Sequence, residues 1–303
     1  MDRILTYTIT PQEDGMQVLE FLRLKGFSRH ILTSMKPDKE ALLVNGMRAG
    51  GRSILKEGDH FRVRVMETGS MEGIVPAHLP LDILYEDEDI LVLNKPADMP
   101  VHPSIGNYTN TLANAAAFYF QQKNELCPFR CINRLDRDTS GSLILAKNAL
   151  SAAILSAQMR NREIRRTYLA VVCGVTPPSG TVSAPIGRVS DSVIQRQVDP
   201  EHGESAVTHY ERLAVRNDHS LLEIHLETGR THQIRVHMAY IGHPVAGDPV
   251  YGPKKVITQL HGQCLHAGLI GFIHPRTGEY MKFEAPLPPY FTDFVKTLHA
   301  EDE

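Results

Sequence analysis

Asn133-Arg134-Leu135-Asp136-Arg137-Asp138-Thr139-Ser140-Gly141 is the densest polar stretch of the chain. It lies between two apolar stretches and directly ahead of Ser142-Leu143-Ile144-Leu145-Ala146, which reads as a strand. Two Asp and two Arg within five residues, beside Thr, Ser and Gly, make a loop on a scaffold, the place where reactive side chains concentrate. Taken alone, the same composition also suits a structural turn laced with local salt bridges. The surrounding chain has to decide between the two.

Outward from this loop, strands are expected at Ile83–Tyr85, Ile90–Leu93, Tyr168–Val172, 181–188, 205–214, 220–227, 265–272 and 279–284. Helices are expected over the Ala-rich residues 111–123, near 149–161 and from His232 to Tyr240, with Pro-rich residues 286–289 ending the pattern. Helices and strands mix without regular βαβ alternation, so the fold class is α+β rather than a doubly wound sheet. Nearer the N-terminus, residues 12–35 read as two short helices broken at Gly26. A strand running into an Asn45-Gly46 turn follows, and then Phe61-Arg62-Val63-Arg64-Val65, alternating as a half-buried strand does. Residues 68–79 lack periodicity. The expected organisation is a small unit over 1–67, a linker over 68–79 and a larger domain over 80–299.

Composition narrows the function. The chain has 303 residues, 42% hydrophobic and 22% charged, which excludes a disordered, collagen-like or coiled-coil chain. No run approaches the roughly 20 apolar residues of a membrane span. The first ten residues lack a secretory pattern, so a reducing, cytoplasmic compartment is the expectation. There is no Gly-x-x-x-x-Gly-Lys-Ser/Thr loop and no strand-linked Gly-x-Gly-x-x-Gly, so no nucleotide cofactor is expected. No metal is expected either. Cys127 and Cys131 lack two further ligands at matching spacing, and His232 and His237, five apart, lie on different faces of a helix. The net charge of −3 is uneven: residues 1–66 carry eleven Lys and Arg against eight Asp and Glu, so the rest carries −6. A local basic run stands at Arg160, Arg162, Arg165 and Arg166.

Two more clusters accompany the loop. Thr228-Gly229-Arg230-Thr231-His232-Gln233-Ile234-Arg235-Val236-His237 opens a helix with cationic and amide side chains, and Arg235 there could hold a carboxylate ionised. Arg165-Arg166-Thr167-Tyr168-Leu169-Ala170 sets a Tyr in an apolar strand behind basic residues. In order along the chain, these pieces resemble the RluA/RluD-type pseudouridine synthases. The matching segments are Val92-Leu93-Asn94-Lys95-Pro96 with Pro100-Val101-His102-Pro103, then Arg134 to Gly141, Arg166 to Ala170 and Leu226 to His237. Gly247-Asp248-Pro249-Val250-Tyr251-Gly252, Leu265-His266-Ala267 and His274-Pro275 complete the series. One departure is Asn133, where many members carry His. Residues 12–66 more loosely resemble the αL RNA-binding domain that members often carry.

The resemblance implies an isomerase that turns chosen uridines of RNA into pseudouridine without metal or cofactor. Ribosomal RNA is the expected partner, with transfer RNA as the other candidate, and the enzyme is expected to be a monomer. It implies Asp136 as the catalytic carboxylate, held ionised by Arg235, and Tyr168 stacking on the target base. Arg134 would fill the gap left by a flipped-out uridine. Arg166, Arg230, His232 and Gln233 are the further RNA-binding candidates. Two other classes fit parts of this pattern. A glycoside hydrolase could use Asp136 and Asp138, which share a face about 6–7 Å apart if that segment is extended; the absence of Trp for sugar platforms counts against it. A non-catalytic RNA-binding protein would have no need of Asp136, Tyr168 and Arg235 together.

Overall fold

The computed structural model describes residues 2–67, 73–125, 127–190, 192, 194–253, 260 and 262–299. Strand β1 (Asp2–Thr8), helices α1 (Val18–Leu24) and α2 (Arg29–Ser34), and strands β2 (Leu42–Val44), β3 (Met47–Arg48) and β4 (His60–Met66) make the first unit. Its antiparallel sheet runs β1-β4-β2-β3. On β4 the alternation drives Phe61, Val63 and Val65 inward, where they meet Phe21 and Leu22 of α1 and Ile31 of α2. Ser28 caps α2, its hydroxyl accepting from Ile31 N at 3.3 Å. The expected helical stretch 12–35 is thus two helices shorter than the pattern suggested, with a single tight turn at Pro11–Glu13 ahead of them.

The second unit contains β5 (Asp82–Glu86), β6 (Ile90–Lys95), α3 (Leu112–Gln122), β7 (Ser140–Ala146) and α4 (Ala149–Arg160). It continues with β8 (Arg165–Cys173), β9 (Ser179–Ser183), β10 (Ile186–Arg188), β11 (Arg196–Val198), β12 (Val207–Arg216) and β13 (His219–Leu226). Last come α5 (Gln233–Tyr240), β14 (Leu265–Ile273), β15 (Tyr280–Glu284) and α6 (Pro289–His299). Its nine-stranded sheet runs β5-β6-β7-β14-β8-β13-β12-β9, with β15 paired to β14. Every pair in it is antiparallel except β7 with β14, so the α+β expectation holds. β7 is buried along its whole length, and α3 sets Ala115 and Ala116 into the core, small side chains that let a helix lie close to a sheet.

Four sequence expectations need correcting. Residues 181–188 are not one strand: Pro185 lacks the N–H a ladder needs, and β9 and β10 join different sheets. β1 was not expected, because exposed Ile4 and half-buried Leu5 blur the alternation. α6 was not expected either: its Pro289 starts a helix where a stop was read. The helix expected from His232 begins one residue later, since His232 is a left-handed N-cap with φ of 59°. Of the expected linker 68–79, residues 68–72 lie outside the described residues, and 73–79 carry neither helix nor strand.

Contacts tie the first unit to α4. Leu150, Ala153 and Ile154 join its apolar cluster, and Gly26 passes Ile154 so closely that a Cβ would come within 2.5 Å. Arg3 bonds Asp89 at 2.6 Å, while Glu67 accepts from Arg130 at 2.7 Å and from the Ala149 N–H at the start of α4 at 2.9 Å.

Candidate active site

The polar loop is fixed at both ends. Asn133 is buried, and its amide donates to Ser142 O at 3.2 Å and accepts from Ile144 N at 2.9 Å, which pins the loop to β7. Thr139 N donates to Asp136 O at 3.2 Å, closing a turn. Beneath it, Lys95 is fully buried and donates to Pro96 O at 2.7 Å and to Met99 O and Arg137 O at 2.8 Å. Burial pushes its pKa down to about 7 while nearby Asp138 and Asp136 pull it back up. At the far end Gly141, with φ of 113°, pairs with Ala267, and a Cβ there would meet Ala267 O at 2.3 Å. Only glycine fits this approach.

The turn separates the two aspartates. Asp136 keeps 24% of its side chain exposed and lines a cleft of about 830 Å³. Asp138 is buried beside Gly262, bonds Arg137 at 2.8 Å and does not line that cleft. The extended geometry that would have paired the two carboxylates for glycoside hydrolysis does not occur, and that alternative is set aside.

Arg235 reaches Asp136 from across the fold, its Nη1 donating to Oδ2 at 3.0 Å. Its Nε and Nη2 donate to Asp248 at 2.7 and 2.9 Å. Burial opposes the charge, but the bonds to Asp248 and Asp136 outweigh it and hold Arg235 above its ordinary pKa. His232 sits 3.9 Å from Asp136 and shares a hydrogen bond with the Tyr251 hydroxyl at 2.8 Å. Burial lowers its pKa, so the ring is neutral at pH 7.

Tyr168 lines the same cleft from β8, 5% exposed. Burial raises its pKa, which keeps the hydroxyl protonated at neutral pH. Arg134 is exposed at the cleft and makes no ion pair among the described residues, whereas Arg166 is half-buried and donates to Thr228 O at 3.5 Å. Arg230 bonds Ser205 O at 3.1 Å and pairs with Glu204. Gln233 is buried: it donates to Val207 O and Thr208 Oγ1 at 2.9 and 3.0 Å and accepts from Thr228 Oγ1 and Arg230 N at 2.8 and 2.9 Å. Its amide is spent on shaping the 228–231 loop. Among the described residues, seven arginines and two carboxylates, Asp136 and Glu227, line the cleft, so it is strongly cationic in a chain of net charge −3.

Asp248, Tyr251 and Lys95 carry parts of this arrangement that no sequence reading assigned, although all three stood inside quoted motifs. His237 is no ligand: it bonds Thr208 Oγ1 and Ala184 O at 2.9 Å. Cys127 and Cys131 donate to the carbonyls of Lys147 and Asn133 at 3.2 and 2.9 Å, and burial raises both thiols to about 12.

Comparison with known proteins bears on this geometry. The family described as RNA pseudouridylate synthase matches residues 89–240, the span that holds the loop, Tyr168 and Arg235. The chain is 44% identical over 261 residues to YlyB of Bacillus subtilis, an uncharacterized RNA pseudouridine synthase, covering 85% of each chain. It is 40% identical over 249 residues to ribosomal large subunit pseudouridine synthase D of Pasteurella multocida, covering 78% of this chain and 76% of that one. Among solved structures, human RNA pseudouridylate synthase domain containing 1 superposes with a TM-score of 0.57 at 27% identity, over 78% of this chain and 98% of that one.

Proposed function

This chain belongs to the RNA pseudouridylate synthase family, and on that premise we propose that it isomerises a uridine of large-subunit ribosomal RNA with Asp136 as the reacting carboxylate. The observation that carries the reading is the half-open carboxylate of Asp136, bonded by Arg235 at 3.0 Å on the floor of a cationic cleft. The isomerisation breaks the bond from uracil N1 to the ribose C1′, turns the base and joins C5 to C1′. The C5 proton leaves and N1 gains one, so nothing is consumed. Whether the carboxylate bonds the sugar, bonds the base or takes a proton, it has to be open to the substrate, and Arg235 sets a fixed counter-charge beside it.

A uridine stacked in RNA does not reach a carboxylate that lines a cleft, so the target base is flipped out, at a cost of a few kcal/mol. Arg134, exposed and without an ion pair among the described residues, is assigned to enter the stack as the base leaves it. Tyr168, which lines the cleft from β8, is assigned to stack on the base. With its hydroxyl protonated, it acts first as a platform and hydrogen-bond donor. Arg160, Arg162 and Arg166 line the approach and suit phosphates. Residues 1–67, joined through 68–79 to the catalytic unit over 80–299, add a second RNA contact. The enzyme works as a monomer in the cytoplasm, where ribosomal RNA is found. The large-subunit target rests on relatives named for that activity.

Asp136→Asn tests the reading. The variant is expected to fold and to bind RNA while forming no pseudouridine, and normal turnover would refute it. Pseudouridine mapping in cells with and without the gene is expected to lose a large-subunit site. Loss confined to transfer RNA would overturn the ribosomal assignment, and release of free uracil would restore hydrolysis.

A further inference from the structure

Arg235 is held from behind. Asp248 does not line the cleft, yet its carboxylate takes two of the guanidinium N–H groups, from Nε at 2.7 Å and Nη2 at 2.9 Å, and is itself completely shielded from solvent. The aspartate is fixed in turn. Its Oδ1 also accepts from Val250 N at 2.8 Å and Tyr251 N at 3.0 Å. Gly247 on one side and Gly252 on the other lie where a Cβ would strike backbone, 2.5 Å from Gly262 O and 2.4 Å from Asp248 O. The Tyr251 ring lies 5.1 Å from the guanidinium carbon, and its hydroxyl accepts from Arg196 N at 2.8 Å. An arginine bonded only to Asp136 would be free to swing about its long side chain; here Nη1 is the nitrogen left for the cleft.

The geometry points to Asp248 as a positioning residue for the reaction: it clamps the Arg235 guanidinium so that Nη1 meets the Asp136 carboxylate, and it shares the positive charge that Asp136 would otherwise face alone. This rests on the reading that Asp136 reacts and Arg235 is its counter-ion. A bidentate arginine–carboxylate pair fixes both distance and plane, which a single bond does not. Small displacements of a group that orients the reacting atom carry large rate penalties.

Asp248→Asn is a selective probe. Its amide oxygen can stay at the Oδ1 position, keeping the two backbone bonds of the turn and the one from Nη2. The amide nitrogen then faces Arg235 Nε–H, donor against donor. The turn survives and the clamp does not. In steady-state assays on ribosomal RNA lacking the modification, kcat is expected to fall about 10²-fold. KM is expected to change by less than about twofold, as for an interaction used only in the reacting complex.

Because Asp248 acts through Arg235, the same substitution is expected to cost far less in an Arg235→Lys background, whose point charge cannot be clamped at two nitrogens. Losses that simply multiply would make Asp248 a structural residue and overturn the inference, as would full activity in a folded Asp248→Asn protein when Asp136→Asn is inactive. Turnover by Asp136→Asn would instead overturn the reading beneath it. If Asp248→Asn does not fold, arginine side-chain ¹⁵N NMR of the unmodified sequence decides. A slowly exchanging Nε–H, identified by its loss in Arg235→Lys, is expected, and a freely exchanging one refutes the clamp.

Discussion

At the scale of single residues, the loop from Asn133 to Gly141 works by dividing labour among neighbours. Asn133 anchors, Asp136 faces the cleft, Asp138 faces Gly262, and Gly141 lets two strands touch. Gly141→Ala should cost about 3 kcal/mol or more, since it combines a forbidden φ with a backbone collision; a thermal melt within a few degrees of the original would show that the strands can part. Tyr168→Phe should leave RNA affinity unchanged, because the ring stays, and lower kcat about 10²-fold if the hydroxyl takes part in proton transfer. An unchanged rate would leave Tyr168 with packing alone. The groups that face the cleft were legible because their types and order are distinctive. Those that hold them in place were not: Asp248 and Arg235 are 13 residues apart across a loop with no periodicity to relate them. Gln233 has the same composition signal as its exposed neighbours. Only burial shows that its amide is spent on its own chain.

At the scale of elements, polar clusters fasten helices to the sheet. Glu86 at the end of β5 accepts from Lys147 at 2.7 Å, from Lys123 at 2.9 Å and from the Tyr119 hydroxyl, so one carboxylate links β5, α3 and the turn before α4. Burial pushes its pKa up, but these donors outweigh burial and bring it down to about 2 from 4.5. The folded value lies below the unfolded one, so the stabilisation is complete above about pH 4.5 and fades as pH falls toward 2. Glu86→Gln should therefore lose up to about 3 kcal/mol at pH 7. The difference from the parent should shrink in urea titrations run at successively lower pH; a constant difference would place the effect in packing rather than charge. Elements with strong periodicity, such as β4 and α3, could be read directly. β9 and β10 read as one strand, although Pro185 divides them between two sheets.

At the scale of the whole molecule, the first unit is seated on α4 rather than merely strung to the second unit. Ile154 is the contact to test, since Gly26 leaves room for it and little else. Ile154→Asp buries a charge against an apolar cluster. It should split one cooperative unfolding transition into two and weaken RNA binding about tenfold if both units hold the same RNA. A single transition with unchanged affinity would mean that the seating is incidental. The charge difference between the units was visible in the sequence; their seating was not, because Ala149, Ala153 and Ile154 read as an ordinary helix face.

Ser140 and Gly141 pair in parallel with His266 and Ala267, and β14 then lies between β7 and β8 in the finished sheet. The strand that props the polar loop thus arrives more than a hundred residues after it. During synthesis the carboxylate leaves the ribosome long before its support does, and nonlocal pairings of this kind form slowly. A chain that has not yet added β14 consequently lacks the pairing that holds Gly141 and the loop before it in register.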